Sequence, residues 1–189
     1  MDCKIVNGTI VTATDMYRAD VGINKGKIAQ IAKKIQEPAG EVIDARGHFV
    51  FPGGIDIHTH LDMPFGGTVS SDDFETGTIA AAFGGTTTIV DFAIQGKRMS
   101  LKGALKTWME KAEGKAVIDY GFHVAITDLT KKVLAEIPEL VALGVPSFKC
   151  FLAYKGALMI DDGALYEVLL KCKQAGALVM IHAENGDVL

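Results

Sequence analysis

Five apolar, strand-like segments recur along the chain, at Ile55–His60, Thr87–Phe92, Tyr120–Ile126, Phe148–Ala153 and Leu178–His182. Helical patterns fill the intervals at Phe74–Phe83, Leu101–Glu113, Lys131–Leu143 and Ala164–Ala175. Gly84, Gly114, Gly144 and Gly176 stand where those helices should stop, as C-cap glycines do. One strand and one helix about every 30 residues, with near-continuous apolar strands, specify repeated βαβ units and a parallel sheet. Two architectures obey that grammar, a TIM-type barrel and a doubly wound sheet. A (β/α)8 barrel needs eight strands and typically ~250 residues. With 189 residues and five such strands, a barrel here would be incomplete.

The grammar before Phe51-Pro52-Gly53-Gly54 is different. Lys4 to Val6 and Thr9 to Thr12 flank an Asn7-Gly8 turn, which predicts a tight hairpin. A second pair, Ala19 to Ile23 and Lys27 to Ile31, flanks Asn24-Lys25-Gly26, and Glu41 to Asp44 and His48 to Phe51 add two short extended pieces. The expected organisation is therefore a small β-module over residues 1–52, followed by five βα units over residues 53–189.

Composition narrows the class. Hydrophobic residues make up 49% of the chain, ample for a core, and the net charge is −4 with Lys and Arg scattered. No basic patch points to nucleic acid or an anionic membrane. The apolar runs fall short of the ~20 residues a membrane helix needs, and the N-terminus lacks the pattern of a signal peptide. Cys3, Cys150 and Cys172 form no CxxC pair and no even framework, which suits a reducing compartment. The expectation is a soluble, cytoplasmic protein.

The sharpest chemical feature is Gly54-Ile55-Asp56-Ile57-His58-Thr59-His60-Leu61-Asp62. Residues two apart on a strand share a face, so His58 and His60 present two imidazoles side by side, a geometry that suits zinc. Alone, the pair reads equally well as two surface histidines. Its place at the end of a strand opening a βα series tips the balance, because active sites of such folds sit at the carboxyl ends of strands. His182 holds the same strand-end position four units later. Lys149 lies inside the apolar run Ser147-Phe148-Lys149-Cys150-Phe151-Leu152, where a charge is costly unless neutralised or paired. It reads either as a snorkelling edge lysine or as an amine that has reacted with carbon dioxide. Burial favours the free amine that such carbamate chemistry requires.

Other signals carry less. His48 precedes the barrel-like region and His123 lies in mid-strand, so both read as structural. Gly84-Gly85-Thr86-Thr87-Thr88 lacks a P-loop lysine and a dinucleotide fingerprint. Asp72, Asp73 and Glu75 suit a helix N-terminus. Asp56 and Asp62 flank the histidine pair and are open candidates for supporting it.

Taken together these residues resemble the amidohydrolase superfamily, in its hydantoinase/dihydropyrimidinase branch. The resemblance runs from Asn7–Ala13 through Phe51–Thr68, Gly84–Ile89, Asp119–His123, Ser147–Lys149 and Ala153–Lys155 to His182–Asp187. It implies a (β/α)8 TIM-type barrel, of which residues 53–189 hold the first five βα units, preceded over residues 1–52 by part of a small β-sandwich domain. It further implies two zinc ions per subunit, with Mn2+ or Co2+ as alternatives. His58 and His60 would bind the more buried ion, N6-carboxylated Lys149 would bridge both, and His182 would bind the more exposed one. Tyr154 would hydrogen-bond the substrate oxyanion, and Met63, Phe65 and Phe151 would cradle the ring substituent. The implied reaction is ring opening of 5-substituted hydantoins, D-selectively, and of dihydropyrimidines, giving N-carbamoyl amino acids. Small cyclic amides or ureides are the implied partners, in a homotetramer when the protein is full length.

The family pattern also includes a histidine on the sixth strand and an aspartate on the eighth, both beyond Leu189. The chain by itself is thus expected to be an N-terminal part, an open partial barrel without activity. Two other readings share many of these residues. An allantoinase or dihydroorotase would differ in its substrate loops, and Asp62-Met63-Pro64-Phe65-Gly66-Gly67 looks more like hydantoinase. A non-catalytic dihydropyrimidinase-related binding protein would have no chemical reason to keep all four candidate ligands.

Overall fold

The computed structural model describes residues 1–188, which divide into two compact units, Met1–Gly53 and the residues from Gly54 onward. The first contains β1 (Cys3–Val6), β2 (Thr9–Val11), β3 (Met16–Arg18), β4 (Asp20–Asn24), β5 (Lys27–Ala32), β6 (Glu41–Asp44) and β7 (Phe49–Val50). They form two sheets, ordered β5-β4-β1-β6 and β3-β2-β7. Ile5 and Val21 from one sheet meet Ile10 and Val50 from the other in a shared core.

The Asn7-Gly8 hairpin is not formed. β1 pairs with β4 and β6, while β2 pairs with β3 and β7, so Asn7-Gly8 carries the chain from one sheet to the other. Tertiary contacts explain why. The Asn7 N–H donates to Asp20 Oδ1 (3.1 Å) and its side-chain amide to Asp44 Oδ1 (2.8 Å). A Cβ on Gly8 would lie 2.6 Å from Val50 Cγ2, so this glycine serves close packing and not a two-residue turn. The β4–β5 hairpin does form, with Lys25 (φ 50°) and Gly26 (φ 70°) supplying the left-handed pair it needs. Strand β3 has three residues, too few to show an alternation in sequence.

The second unit follows the βα rhythm. Its elements are β8 (Gly54–Thr59), β9 (Pro64–Phe65), β10 (Thr68–Val69), α1 (Phe74–Phe83), β11 (Thr86–Ile94), α2 (Leu101–Ala112), β12 (Asp119–Ala125), α3 (Lys131–Ala142), β13 (Ser147–Phe151), α4 (Asp162–Ala175) and β14 (Leu178–His182). Five strands form one parallel sheet in the order β14-β13-β12-β11-β8. That order runs monotonically with sequence. A doubly wound sheet reverses at a switch point, so the two architectures are now separated. The unit is a singly wound, partial (β/α)-barrel of the TIM type.

Local chemistry starts each helix. Asp73 caps α1 in a reciprocal capping box with Thr76, Ser100 caps α2, Thr130 caps α3 and Asp161 caps α4. At the far ends, Gly176 takes the left-handed C-cap (φ 71°), whereas Gly84 stays helical (φ −80°) and leaves the left-handed step to Gly85 (φ 85°). The helices bury Leu101, Leu105, Trp108, Val133, Ile137, Leu140 and Val168 against Ile89, Val124, Phe148 and Cys150 of the sheet. Among the described residues no helix is long and apolar enough to cross a membrane.

This core contains two thiols. Burial pushes the Cys150 thiol up to about 12 and the Cys172 thiol up to about 11. Because the folded state holds both protonated above the ordinary value of 9.0, it loses stability as pH rises from about 9 toward 11. At pH 8 a disulfide-exchange reagent should therefore label Cys3 alone, which is half-buried, and all three cysteines after denaturation. Labelling of Cys150 or Cys172 in the native protein at the rate of a free thiol would contradict that burial.

Candidate metal centre

The geometry of the site begins with an irregularity in β8. Asp56 lies opposite Ile89 of β11, and Thr59 lies opposite Asp91. β8 thus uses one more residue than its neighbour over the same span, a β-bulge at Ile57-His58. The polar groups of the bulge find partners. The His58 N–H donates to Asp56 Oδ1 (3.0 Å), and the Ile57 carbonyl accepts from His123 Nε2 (3.0 Å). Immediately beyond, the fully buried Asp91 accepts from the Thr59 hydroxyl and the Leu61 N–H (both 2.8 Å) and from the Phe92 N–H (2.7 Å). Backbone on either side of His60 is thereby fixed to β11.

Held in this way, the His58 and His60 rings stand edge to face, 5.1 Å between centroids. The Phe92 ring lies 4.8 Å from His58 and 5.0 Å from His60. Burial pushes the His60 imidazole below the ordinary histidine pKa; Asp91 opposes this, while His58 and Lys149 add to it. Neutral imidazole, the form that ligates metals, is favoured. Lys149 is half-buried on β13, its Nζ 5.8 Å from the Phe92 centroid and 5.5 Å from that of Phe151. At the end of β14 the His182 ring lies 5.6 Å from Phe151 and 5.4 Å from Tyr154, and its Nε2 contacts the Glu184 carboxylate. A carboxylate behind an imidazole is a common support for metal-binding histidines.

Tyr154 sits at φ 66°, a left-handed conformation costing a non-glycine residue of order 1 kcal/mol. Its carbonyl accepts from the N–H groups of Ala157 (3.0 Å) and Leu158 (3.0 Å), so the turn after β13 maintains the strain. Between β8 and α1, the Asp62 N–H donates to the Asp72 carbonyl (3.0 Å), closing an arm whose β9–β10 hairpin turns at Gly66 (φ 59°) and Gly67 (φ 83°). Lys111 of α2 binds the Asp62 carbonyl at the base of that arm while its Nζ lies 4.4 Å over the Trp108 ring.

His58, His60, Met63, Phe65, Lys149, Phe151, Tyr154 and His182 all line one cavity of about 790 Å³, within the range of small-molecule sites. His48 does not: its Nδ1 bonds the Arg46 carbonyl in the first unit. Asp62 contributes its backbone to the arm, and Asp56 reaches the His58 amide but not the ring. Sequence reasoning missed Asp91, which interrupts an apolar strand just as Lys149 does, and Phe92, which reads as ordinary core. It also missed Met99 and Trp108, which line the cavity from α2 and the loop before it. Among the described residues no three His, Cys, Asp or Glu side chains are grouped to hold a metal ion. The donors gathered here are imidazoles and one amine, and a protonated amine repels a cation.

Comparison with known proteins gives this constellation a context. The family model described as "Amidohydrolase family" matches residues 49–188. A D-hydantoinase of Geobacillus stearothermophilus is 62% identical over 186 residues, covering 98% of this chain and 40% of the relative. A D-hydantoinase of Rhizobium radiobacter is 53% identical over 187 residues, covering 99% and 41%. The crystal structure of dihydropyrimidinase from Brevibacillus agri NCHU1002 superposes with a TM-score of 0.97 at 57% identity, over 100% of this chain and 41% of that one. The chain spans about 40% of the length of these relatives. With the matched region reaching across the whole sheet and its strand-end histidines, the chain belongs to the amidohydrolase family.

Proposed function

We propose that this chain supplies the first part of a zinc-dependent cyclic amidohydrolase, which opens the ring amide of D-5-substituted hydantoins and of dihydropyrimidines to give N-carbamoyl amino acids. The observation that carries the reading is the gathering of His58, His60, Lys149 and His182, with Tyr154, around a single cavity at the carboxyl ends of parallel strands. The names of the relatives, D-hydantoinase and dihydropyrimidinase, support the substrate class.

The donor chemistry fits two zinc ions once Lys149 is carboxylated. Its neutral amine adds to carbon dioxide, forming an N–C bond and releasing a proton to solvent, and the side chain becomes an anionic oxygen donor. His58 and His60 would hold one ion and His182 the second, with the Lys149 carbamate as their shared anionic donor. Zinc held there would polarise the ring carbonyl and lower the pKa of water, and Mn2+ or Co2+ would serve the same role. Tyr154 donates to the developing oxyanion from its strained turn. Phe65 at the tip of the arm, with Met63 and Phe151, packs on the substituent at C5 and so selects the D-enantiomer. Cytoplasmic homotetramers of the complete subunit are part of the same reading.

Metal analysis and a substrate panel test it on the complete protein. We expect about two zinc ions per subunit, with dihydrouracil and D-5-substituted hydantoins opened. Preference for allantoin or dihydroorotate would shift the substrate assignment within the family. Protein that binds no divalent metal and opens none of the panel would overturn it.

A further inference from the structure

His123 is a buried polar side chain to which the proposed site gives no role. It is 7% exposed on β12 and uses both ring nitrogens. Its Nε2 donates to the Ile57 carbonyl (3.0 Å), which fixes the tautomer, and its Nδ1 accepts from the Ser147 hydroxyl, itself 3% exposed. Sheet order makes this unusual. In β14-β13-β12-β11-β8, Ser147 belongs to the strand beside β12, whereas Ile57 lies two strands away on β8. The imidazole therefore spans β11, passing 4.8 Å from the Phe92 ring. Ile57 immediately precedes His58, and Ser147 lies two residues before Lys149 on the same strand.

The bulge makes the link consequential. A bulge interrupts the ladder, so β8 at Ile57-His58 lacks regular pairing to β11. Without His123 the part-buried Ile57 carbonyl would lose its protein partner at a point where the ladder offers no other, which frees the backbone of the bulge to move. The geometry points to His123 as a positioning residue, a strut that sets the distance between the strand end bearing His58 and His60 and the strand bearing Lys149. This inference rests on the metal-centre reading for its consequence, but not for the strut itself.

Two variants separate the roles. His123→Phe keeps a flat ring and removes both hydrogen bonds. His123→Gln retains one amide donor for Ile57 and one acceptor for Ser147. Hydrogen exchange of the metal-stripped protein should show the His58–Leu61 amides of His123→Phe opening about tenfold faster, with the centres of β12 and β13 unchanged. Zinc affinity, measured against a competing chelator, should weaken about 10–100-fold, as when other supporting partners of ligands are lost. His123→Gln should recover most of both. Exchange that rises evenly across the sheet or not at all, or zinc affinity in His123→Phe equal to the parent's, would overturn the strut. A parent protein that takes up no zinc overturns the metal-centre reading instead, and the exchange pattern alone then decides whether His123 holds β8.

Discussion

Replacement of Lys149 by alanine is expected to empty the proposed centre of one or both metals and to lower turnover about 10³-fold or more, equivalent to ~4 kcal/mol or more of lost transition-state stabilisation. The side chain stands at the middle of the site: its Nζ lies within 6 Å of the Phe92 and Phe151 rings, which touch His58 and His60 on one side and His182 on the other. An amine there offers one nitrogen beside three imidazoles, and only as a carbamate can the side chain donate to both ends. Lys149→Arg is informative because it keeps length and charge but cannot be carboxylated in the same way. It should be as inactive as the alanine variant. In Lys149→Ala the vacated space opens toward the cavity, so a small carboxylate such as acetate should restore part of the metal content and activity. Full activity in Lys149→Arg would mean that a cation at this position suffices, and the binuclear reading would fall.

The parts of this arrangement that sequence exposes are those with a local cause. Polar residues placed at the ends of apolar strands, such as His58, His60 and His182, are conspicuous because the surrounding pattern is so regular. Lys149 stands out for the same reason. Asp91 carries an equal signal, yet it lies inside Thr87–Phe92, where the strand's identity draws more attention than its one charge. The aromatic contacts of Phe92 leave no trace at all, since a strand phenylalanine reads as core whichever rings it touches. In the first unit Asn7-Gly8 has the composition of a hairpin turn, but Asp20, Asp44 and Val50 decide its conformation from 13 to 42 residues away. Non-local pairing of short strands lies outside what periodicity can report. The arm over Met63 and Phe65 did leave a mark in Gly66-Gly67, a dipeptide suited to a hairpin turn, although its two-residue strands are too short to alternate.

Asp91 should prove the most sensitive acidic residue in the second unit. It is fully buried, and three donors converge on it: Oδ2 accepts from the Thr59 hydroxyl and the Leu61 N–H, and Oδ1 from the Phe92 N–H. Burial raises its pKa, opposed by those hydrogen bonds and by His60. For a carboxyl group raised in the folded state, the stabilising contribution is complete below the unfolded pKa and declines as pH climbs through the folded one. Ionised Asp91 is thus a net cost of folding relative to its protonated form. Removing the side chain is worse, because Asp91→Ala strands three donors in or beside the core. At roughly 1–3 kcal/mol for a fully buried group, and less for the half-buried Thr59 and Leu61, the loss should be on the order of 3 kcal/mol. Asp91→Asn should cost less. An amide oxygen in the Oδ2 position keeps Thr59 and Leu61, but the amide nitrogen then faces the Phe92 N–H. It should also abolish the pH dependence that Asp91 contributes above the ordinary carboxylate value. The site would register the change as well as the fold, since Thr59 and Leu61 bracket His60. Denaturant unfolding and zinc titration of the two variants together would check both effects. If Asp91→Ala unfolded at the parent's denaturant concentration and bound zinc as tightly, these hydrogen bonds would have no part in holding His60.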